Sequence, residues 1–438
     1  MKLYEERVLE NIKEKIYSMD SKQKYKKSKK DFTRERKMPF EKVALYPLAQ
    51  KGITSKMEII KFDEIIDTAD ISSPAVLKQR EKLSSNIYVD MIDENNICFY
   101  NEYSKQVKLF KGYIVTASDG SDFEIPNTIL TRSKCGSSIR ENSVARLQVC
   151  NTFDLLNGFI LKANIGYGKC DERTKANENL WSIKKMNLKY PILEVRDRGF
   201  MSLKDIYYLN KQDDKYVIRF DKRNYRKAIT EMNSNDETIK IEYEYNRNRH
   251  YKIIDPEYYE LMEKTKADTE FRVVIVELEN GEKEYLATNL EANKFSYEDI
   301  KNIYRLRWGI ETNFHVLKEN MKIEAISSSK DELIKQDIFS QMLACNTLQA
   351  FINTSNKKIN QEKYKHEMKT NMNMAIGFFK KYFIYILIET DETKKRLLIE
   401  QMETGIKRYL VPIRKNRNFP RNKNRVKNKH SINKRKSF

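Results

Sequence analysis

The sequence is poor in the residues that staple or disorder a chain. Its 438 residues include only five cysteines, at positions 98, 135, 150, 170 and 345. They are odd in number, widely spaced and never arranged as a CxxC pair, so neither a disulfide framework nor a structural zinc site is expected. Glycine (12) and proline (8) are scarce while 40% of residues are apolar, which excludes collagen-like, elastomeric and wholly disordered chains. No long hydrophobic run is present: the uncharged stretch Tyr382 to Ile388, flanked by Lys380, Lys381 and Glu389, is far too short to span a membrane. The first twenty residues interleave charges at helical spacing and contain no apolar secretion core. A cytoplasmic location without a membrane partner is therefore expected. Gly166-Tyr167-Gly168-Lys169 looks like a phosphate loop, but Ala163 replaces the first Walker glycine and Cys170 the Ser or Thr, so no nucleotide cofactor is expected. His366-Glu367 lacks the second histidine of a zincin motif.

Positive charge, in contrast, is abundant. Lys and Arg total 83 against 63 Asp and Glu, a net charge of +20. Residues 22–37 carry +7 and residues 414–438 carry +11, so the two flanks hold 18 of the 20 net charges and the body between them is nearly neutral. Such runs bind phosphate backbones by releasing counterions, without reading base sequence. In the tail, Arg421, Lys423 and Arg425 alternate with asparagines after Phe419-Pro420, as in a docking arm for DNA.

Periodicity divides the chain. Residues 40 to 88 predict short helices: Phe40 to Tyr46, stopped by Pro47, then Phe62 to Ala69. A third helix opens with Ser73 as N-cap and Pro74 in the first turn. This last helix carries Lys78, Gln79 and Arg80, at a spacing compatible with a helix-turn-helix reading a DNA groove and equally with plain scaffold. Strand patterns follow at Ile97 to Tyr100, Val107 to Ala117 and Arg146 to Ile165. Next come a helix over Asp171 to Met186, a strand at Pro191 to Val195 and a helix over Leu203 to Leu209. Residues 215 to 290 return to strands, with Asn280-Gly281 as a hairpin signal. From Ser296 to about Glu403 the pattern is helical apart from a polar break near Asn353 to Lys357.

One of these helical stretches, YRLRWGIETNFHVLKENMKIE, presents two adjoining stripes. At about 100° per residue, Ile303, Leu306, Ile310, Phe314, Leu317 and Met321 form one apolar face. Tyr304, Arg307, Glu311 and Lys318 fall within about 60° of one another directly beside it. Taken alone, Arg307 and Glu311 are also an ordinary i,i+4 pair.

The spacing Y-x2-R-x3-E-x6-K of Tyr304, Arg307, Glu311 and Lys318 resembles the signature of bacterial insertion-sequence transposases with an acidic DDE triad, the group named after insertion sequence four. IVTASDGSDFEIPNT resembles that family's first-Asp region and points to Asp119, with Asp122 three residues on as the alternative. LEVRDRGFMS resembles its second-Asp motif and points to Asp197. The resemblance covers roughly residues 30 to 425 and implies a DNA transposase. It implies Asp119, Asp197 and Glu311 as catalytic residues holding two Mg²⁺ ions, with Mn²⁺ able to serve instead. Tyr304, Arg307, Lys318 and Arg198 are implied on the DNA, Arg198 having a structural salt bridge as its alternative. The implied partners are double-stranded DNA, as element terminal inverted repeats and target, and a second copy of the chain on paired ends.

The implied fold is α/β: a ribonuclease-H-like core with an inserted β-rich module, preceded by an α-helical DNA-binding region and followed by helices and a basic tail. The expected boundaries are 1–95 for the N-terminal region, 96–222 and 293–353 for the two parts of the core, 223–292 for the insertion, 354–413 for the C-terminal helices and 414–438 for the tail. The chain's tryptophans, Trp181 and Trp308, lie outside the insertion, so base stacking there would fall to Tyr or Phe. Two rival functions remain: a ribonuclease-H-like nuclease without strand transfer, and a non-catalytic DNA-binding protein derived from a transposase.

Overall fold

The computed structural model describes residues 3–34, 36–66, 71–135, 144–168, 171–279 and 281–413. Its centre is a mixed eight-stranded sheet in the order β3-β2-β1-β4-β5-β8-β7-β6. The strands are β1 Ile114–Glu124, β2 Arg146–Asp154, β3 Ile160–Tyr167, β4 Ile192–Arg196, β5 Lys215–Phe220, β6 Asp236–Ile241, β7 Thr269–Glu277 and β8 Lys283–Thr288. β1, β2 and β3 form an antiparallel meander, β4 and β5 join β1 in parallel, and β8, β7 and β6 continue antiparallel from β5. The helices Glu172–Lys184 and Leu203–Lys211 make the crossovers into β4 and β5, as parallel pairing requires. The segment 223–292, expected as an inserted module, is thus hydrogen-bonded through β8 into the same sheet. Its β7–β8 hairpin turns at Gly281, whose φ of +77° lies in the left-handed region open to glycine.

A helical layer packs beside the meander around the 27-residue helix Asp331–Lys357, which buries residues on every side. The helices Tyr4–Tyr17, Phe40–Ala49 and Asn86–Asn101 pack against it in one large apolar core. No described helix is long and apolar enough to cross a membrane.

Several local expectations yield to this packing. Ile97 to Tyr100 is the end of helix Asn86–Asn101 rather than a strand, because Met91, Ile92, Asn95, Phe99 and Tyr100 are buried along one helical face. The strand expected from Val107 begins at Ile114, after a turn at Lys111 and Gly112, both with positive φ. The run Arg146 to Ile165 is two strands, divided at Gly158. Pro47 lies inside helix Phe40–Ala49 instead of ending it, and the third short helix already includes Ser73, with Ser72 at the N-cap position and no side-chain capping hydrogen bond. Asn353 to Lys357 is the last turn of the long helix. The helical region breaks instead around 321–330 and 358–371.

Candidate active site

Strand register gathers the first two acids. In the β1–β2 ladder Asp119 stands directly opposite Asn151, so their side chains leave the same face. Ala117 pairs with Val195 across β1–β4, and Val195 with Val217 across β4–β5. Asp197 keeps an extended backbone just past β4, with φ −81° and ψ 175°. One same-face step of two residues along each strand therefore brings Asp119, Asp197 and Arg219 to a common rung. Asp122 falls on the other face and is exposed, which distinguishes it from Asp119.

The third acid arrives from above. Val115, Leu193, Val195 and Val217 of this face pack under Ile303 and Tyr304 of helix Tyr297–Leu306. The next helix, Trp308–His315, sets Ile310 and Phe314 on Ala117 and Phe123, with the Phe123 and Phe314 rings 6.2 Å apart and edge-on. The signature stretch is thus two α-helices followed by a π turn, Val316–Asn320, rather than one uniform helix. At the junction a Cβ on Gly309 would lie 3.0 Å from Leu155 Cδ2, so glycine lets the helix approach the sheet closely.

These helices bring Arg307 among the acids. Its Nη2 donates to Glu311 Oε1 at 3.0 Å, and the same guanidinium acts electrostatically on both Asp119 and Asp197. Burial pushes the Asp119 carboxyl up to about 6; the Gly120 N–H and Arg307 oppose this, while Glu172 and Glu311 add to it. Burial would also raise Asp197, but the Arg198 N–H, Arg219, Arg307 and the Tyr304 hydroxyl together outweigh it and hold the group below the ordinary carboxylate value. Arg219 Nη2 lies 2.8 Å from Asp197 Oδ1, and its Nη1 donates to Glu284 Oε1 at 2.9 Å. Asn151 is fully buried and neither of its amide atoms has a partner.

The residues expected on DNA are placed unequally. Tyr304 is 6% exposed and its hydroxyl donates to Asp197 Oδ1 at 3.2 Å, so its ring offers no stacking face and it acts on the acid instead. Arg307 is buried against Glu311. Lys318 Nζ donates to the Asp122 carbonyl at 2.6 Å and lies 5.0 Å from the centroid of the Phe123 ring, bracing the end of β1. Arg198 extends into solvent, 63% exposed and 3.9 Å from Asp221, and is the freest of the set. The face expected from Lys78, Gln79 and Arg80 does not form, since Gln79 and Arg80 are buried and Lys78 alone of the three is exposed. Arg80 is committed to Asp337 at 2.6 Å and to Gln336 and Ser327, partners some 250 residues away in sequence. Arg421, Lys423 and Arg425 lie outside the described residues.

Three residues of the site escaped the sequence reading: Asn151, Arg219 and Glu284. Only Arg219 left a trace, as a lone cation at an alternate position of the apolar strand YVIRF. Among the described residues, no three His, Cys, Asp or Glu side chains stand close enough together to hold a metal ion. The chemistry of the donors nevertheless suits a hard cation. Asp119 is a partly buried carboxylate in want of neutralisation, Asn151 faces it with an unpartnered amide, and the other two acids each carry an arginine where a cation would sit.

Over 59 residues the chain is 39% identical to the putative transposase InsL for insertion sequence element IS186A of Escherichia coli (strain K12) and to the transposase for insertion sequence element IS421 of Escherichia coli. Each match covers 14% of this chain and only 16% of the relative's length. A cryo-EM structure of the piggyBac transposase synaptic complex with hairpin DNA aligns with 91% of this chain and 85% of its own, at 9% identity and a TM-score of 0.47. The family described as the transposase DDE domain matches residues 110–347, from just before β1 into the long helix and across all three acids, and the chain belongs to that family.

Proposed function

We propose that this protein is a metal-dependent DNA transposase of the insertion-sequence-four type, which cuts the DNA at its element's ends and joins the freed 3′ hydroxyls to target DNA. The observation that carries the proposal is the position of Arg307, one guanidinium that hydrogen-bonds Glu311 and acts electrostatically on both Asp119 and Asp197. The ribonuclease-H-like reading of the core draws support from the strand order, an antiparallel meander joined by two parallel strands, with one acid midway along β1, two residues past its pairing with β4, and another just past the end of β4.

In this reading Asp119, Asp197 and Glu311 would hold two Mg²⁺ ions, or Mn²⁺ in their place, which supply Lewis-acid activation of the attacking and leaving oxygens. The protein's own groups prepare the site. Tyr304 orients Asp197 through its hydroxyl, and Arg307 restrains Glu311. Lys318 ties the π turn to β1. Arg198, the exposed cation beside Asp197, contacts a phosphate near the cut. The flanking charge of residues 22–37 and 414–438 grips the duplex of the terminal repeats, with a second copy of the chain on the paired end.

The test is cleavage of a labelled terminal-repeat duplex by Asp119→Asn, Asp197→Asn and Glu311→Gln variants, with end binding followed by gel shift. Each variant is expected to bind the end and fail to cut it; a variant that still cuts removes its residue from the site. Strand transfer of precut ends separates a transposase from a nuclease, and wild-type binding without cleavage in either Mg²⁺ or Mn²⁺ would point to a DNA-binding derivative.

A further inference from the structure

Arg219 sits where a metal ligand would need to be free. It approaches Asp197 Oδ1 at 2.8 Å, and the Tyr304 hydroxyl donates to the same oxygen at 3.2 Å. Oδ1 thus accepts one hydrogen bond and lies against one cation. A divalent ion bound through it must compete with the guanidinium, and an ion bound through the other oxygen would sit close to that positive charge. Tyr304 is buried and fixed by its helix, whereas Arg219 is 27% exposed and has a second anchor.

That anchor is Glu284 on β8, which accepts from Nη1 at 2.9 Å. Released from Asp197, the guanidinium stays tethered to Glu284, at the edge of a cavity of about 500 Å³ whose lining includes Arg198, Lys222 and Lys283 together with Asp221 and Glu282. With Arg219 and Glu284 included, four cations line the cavity against three acids, and this positive balance beside the second acid favours a DNA phosphate over another protein cation. Arg219 therefore has one carboxylate to leave, one to keep, and an anion-accepting space between the hairpin and the end of β4.

We infer that Arg219 is a built-in counter-ion that competes with the divalent metal for Asp197, and that a DNA phosphate entering the adjoining cavity draws it away, so that metal and DNA bind cooperatively. This rests on the reading of Asp197 as a metal ligand. The pairing holds the acid row together without metal and favours metal uptake after DNA is in place, because the phosphate supplies the replacement anion for the guanidinium.

The experiment is Mn²⁺ binding to the full chain, followed by the loss of the free-ion electron paramagnetic resonance signal, with and without a terminal-repeat duplex. Without DNA, Arg219→Gln is expected to bind Mn²⁺ about fivefold more tightly than wild type, the scale of one partly exposed ion pair. DNA should tighten Mn²⁺ binding in wild type and do so much less in Arg219→Gln. Arg219→Lys, which keeps the charge but cannot bridge two carboxylates, should give a smaller gain and stands in if the glutamine variant does not fold. Unchanged or weaker Mn²⁺ binding in both variants overturns the inference. Asp197→Asn separates this failure from a failure of the underlying assignment: if it too leaves Mn²⁺ binding unchanged, Asp197 is no ligand, whereas if it weakens binding the ligand stands and only the role of Arg219 falls.

Discussion

Two arginine–carboxylate pairs flank the same strand end, and their difference separates scaffold from site. Arg196 Nη2 meets Glu194 Oε2 at 2.8 Å on the face of β4 turned toward helix Glu172–Lys184, with exposures of 0% and 1%. Ser118 donates to the same glutamate at 2.5 Å, and Arg196 Nη1 donates to Asn177 Oδ1 at 2.7 Å. Arg219 meets Asp197 at the same 2.8 Å on the other face, but with exposures of 27% and 33%. Equal distance therefore says little about role. Water and ligands can reach one pair, which makes it exchangeable. The other is sealed, and breaking it leaves an unpaired charge in the interior.

The largest effect on stability is expected where the sealed pair is broken from one side. Arg196→Met should cost about 3–5 kcal/mol in urea unfolding, because Glu194 stays buried without its cation. A loss below about 1 kcal/mol would erase the distinction between the two faces, since exposed pairs already reach that value.

The two aspartates of the open face should respond in opposite directions. Asp119 has its carboxyl raised from 3.8 to about 6, so the folded protein binds an extra proton between those values. The resulting stability is complete below the lower value and is lost as pH rises through about 6. Removing the charge with Asp119→Asn should then stabilise the metal-free protein by about 1–2 kcal/mol near pH 7.5, with no gain below about pH 4. Asp197 is held below its ordinary value, so its contribution is present at neutral pH and lost as pH falls through the lowered folded value. Asp197→Asn should destabilise at pH 7.5 by about 1 kcal/mol, discounted for its exposure. Urea titrations of both variants across pH check the signs, and shifts in the same direction would contradict the assigned environments.

The smallest effect belongs to the exchangeable pair. Arg219→Gln should change unfolding stability by less than about 1 kcal/mol. Loss of several kcal/mol would make it scaffold like Arg196, and no longer a group that can leave its partner.

The legible parts of the site were those whose physics is local. A strand bearing an acid and a helix with one apolar and one polar stripe follow from periods of two and 3.6 residues, and they survive as β1, β4 and the paired signature helices, although β1 runs on through Asp119 and Gly120 to Glu124 instead of ending at the acid. The break at Arg307 and the π turn were invisible because they answer to Leu155 beneath Gly309 and to the strand end that Lys318 grips. Arg80 looked like a surface residue because its neighbours Lys78 and Lys82 are cations, and only the folded chain brings Asp337 to it. Asn151 and Glu284 carried no local signal at all. Their significance is a matter of register across β2–β1 and of the guanidinium that reaches β8 from β5.

The sequence by itself determined the strand patterns that carry Asp119 and lead to Asp197, the polar stripe of Tyr304, Arg307, Glu311 and Lys318, and the concentration of positive charge in the flanks. These depend on backbone geometry and on counting residues. Tertiary structure alone decided which cation answers which acid, because an electrostatic partner is chosen by distance and burial in space, and both are set by strand register and helix packing between segments far apart in the chain.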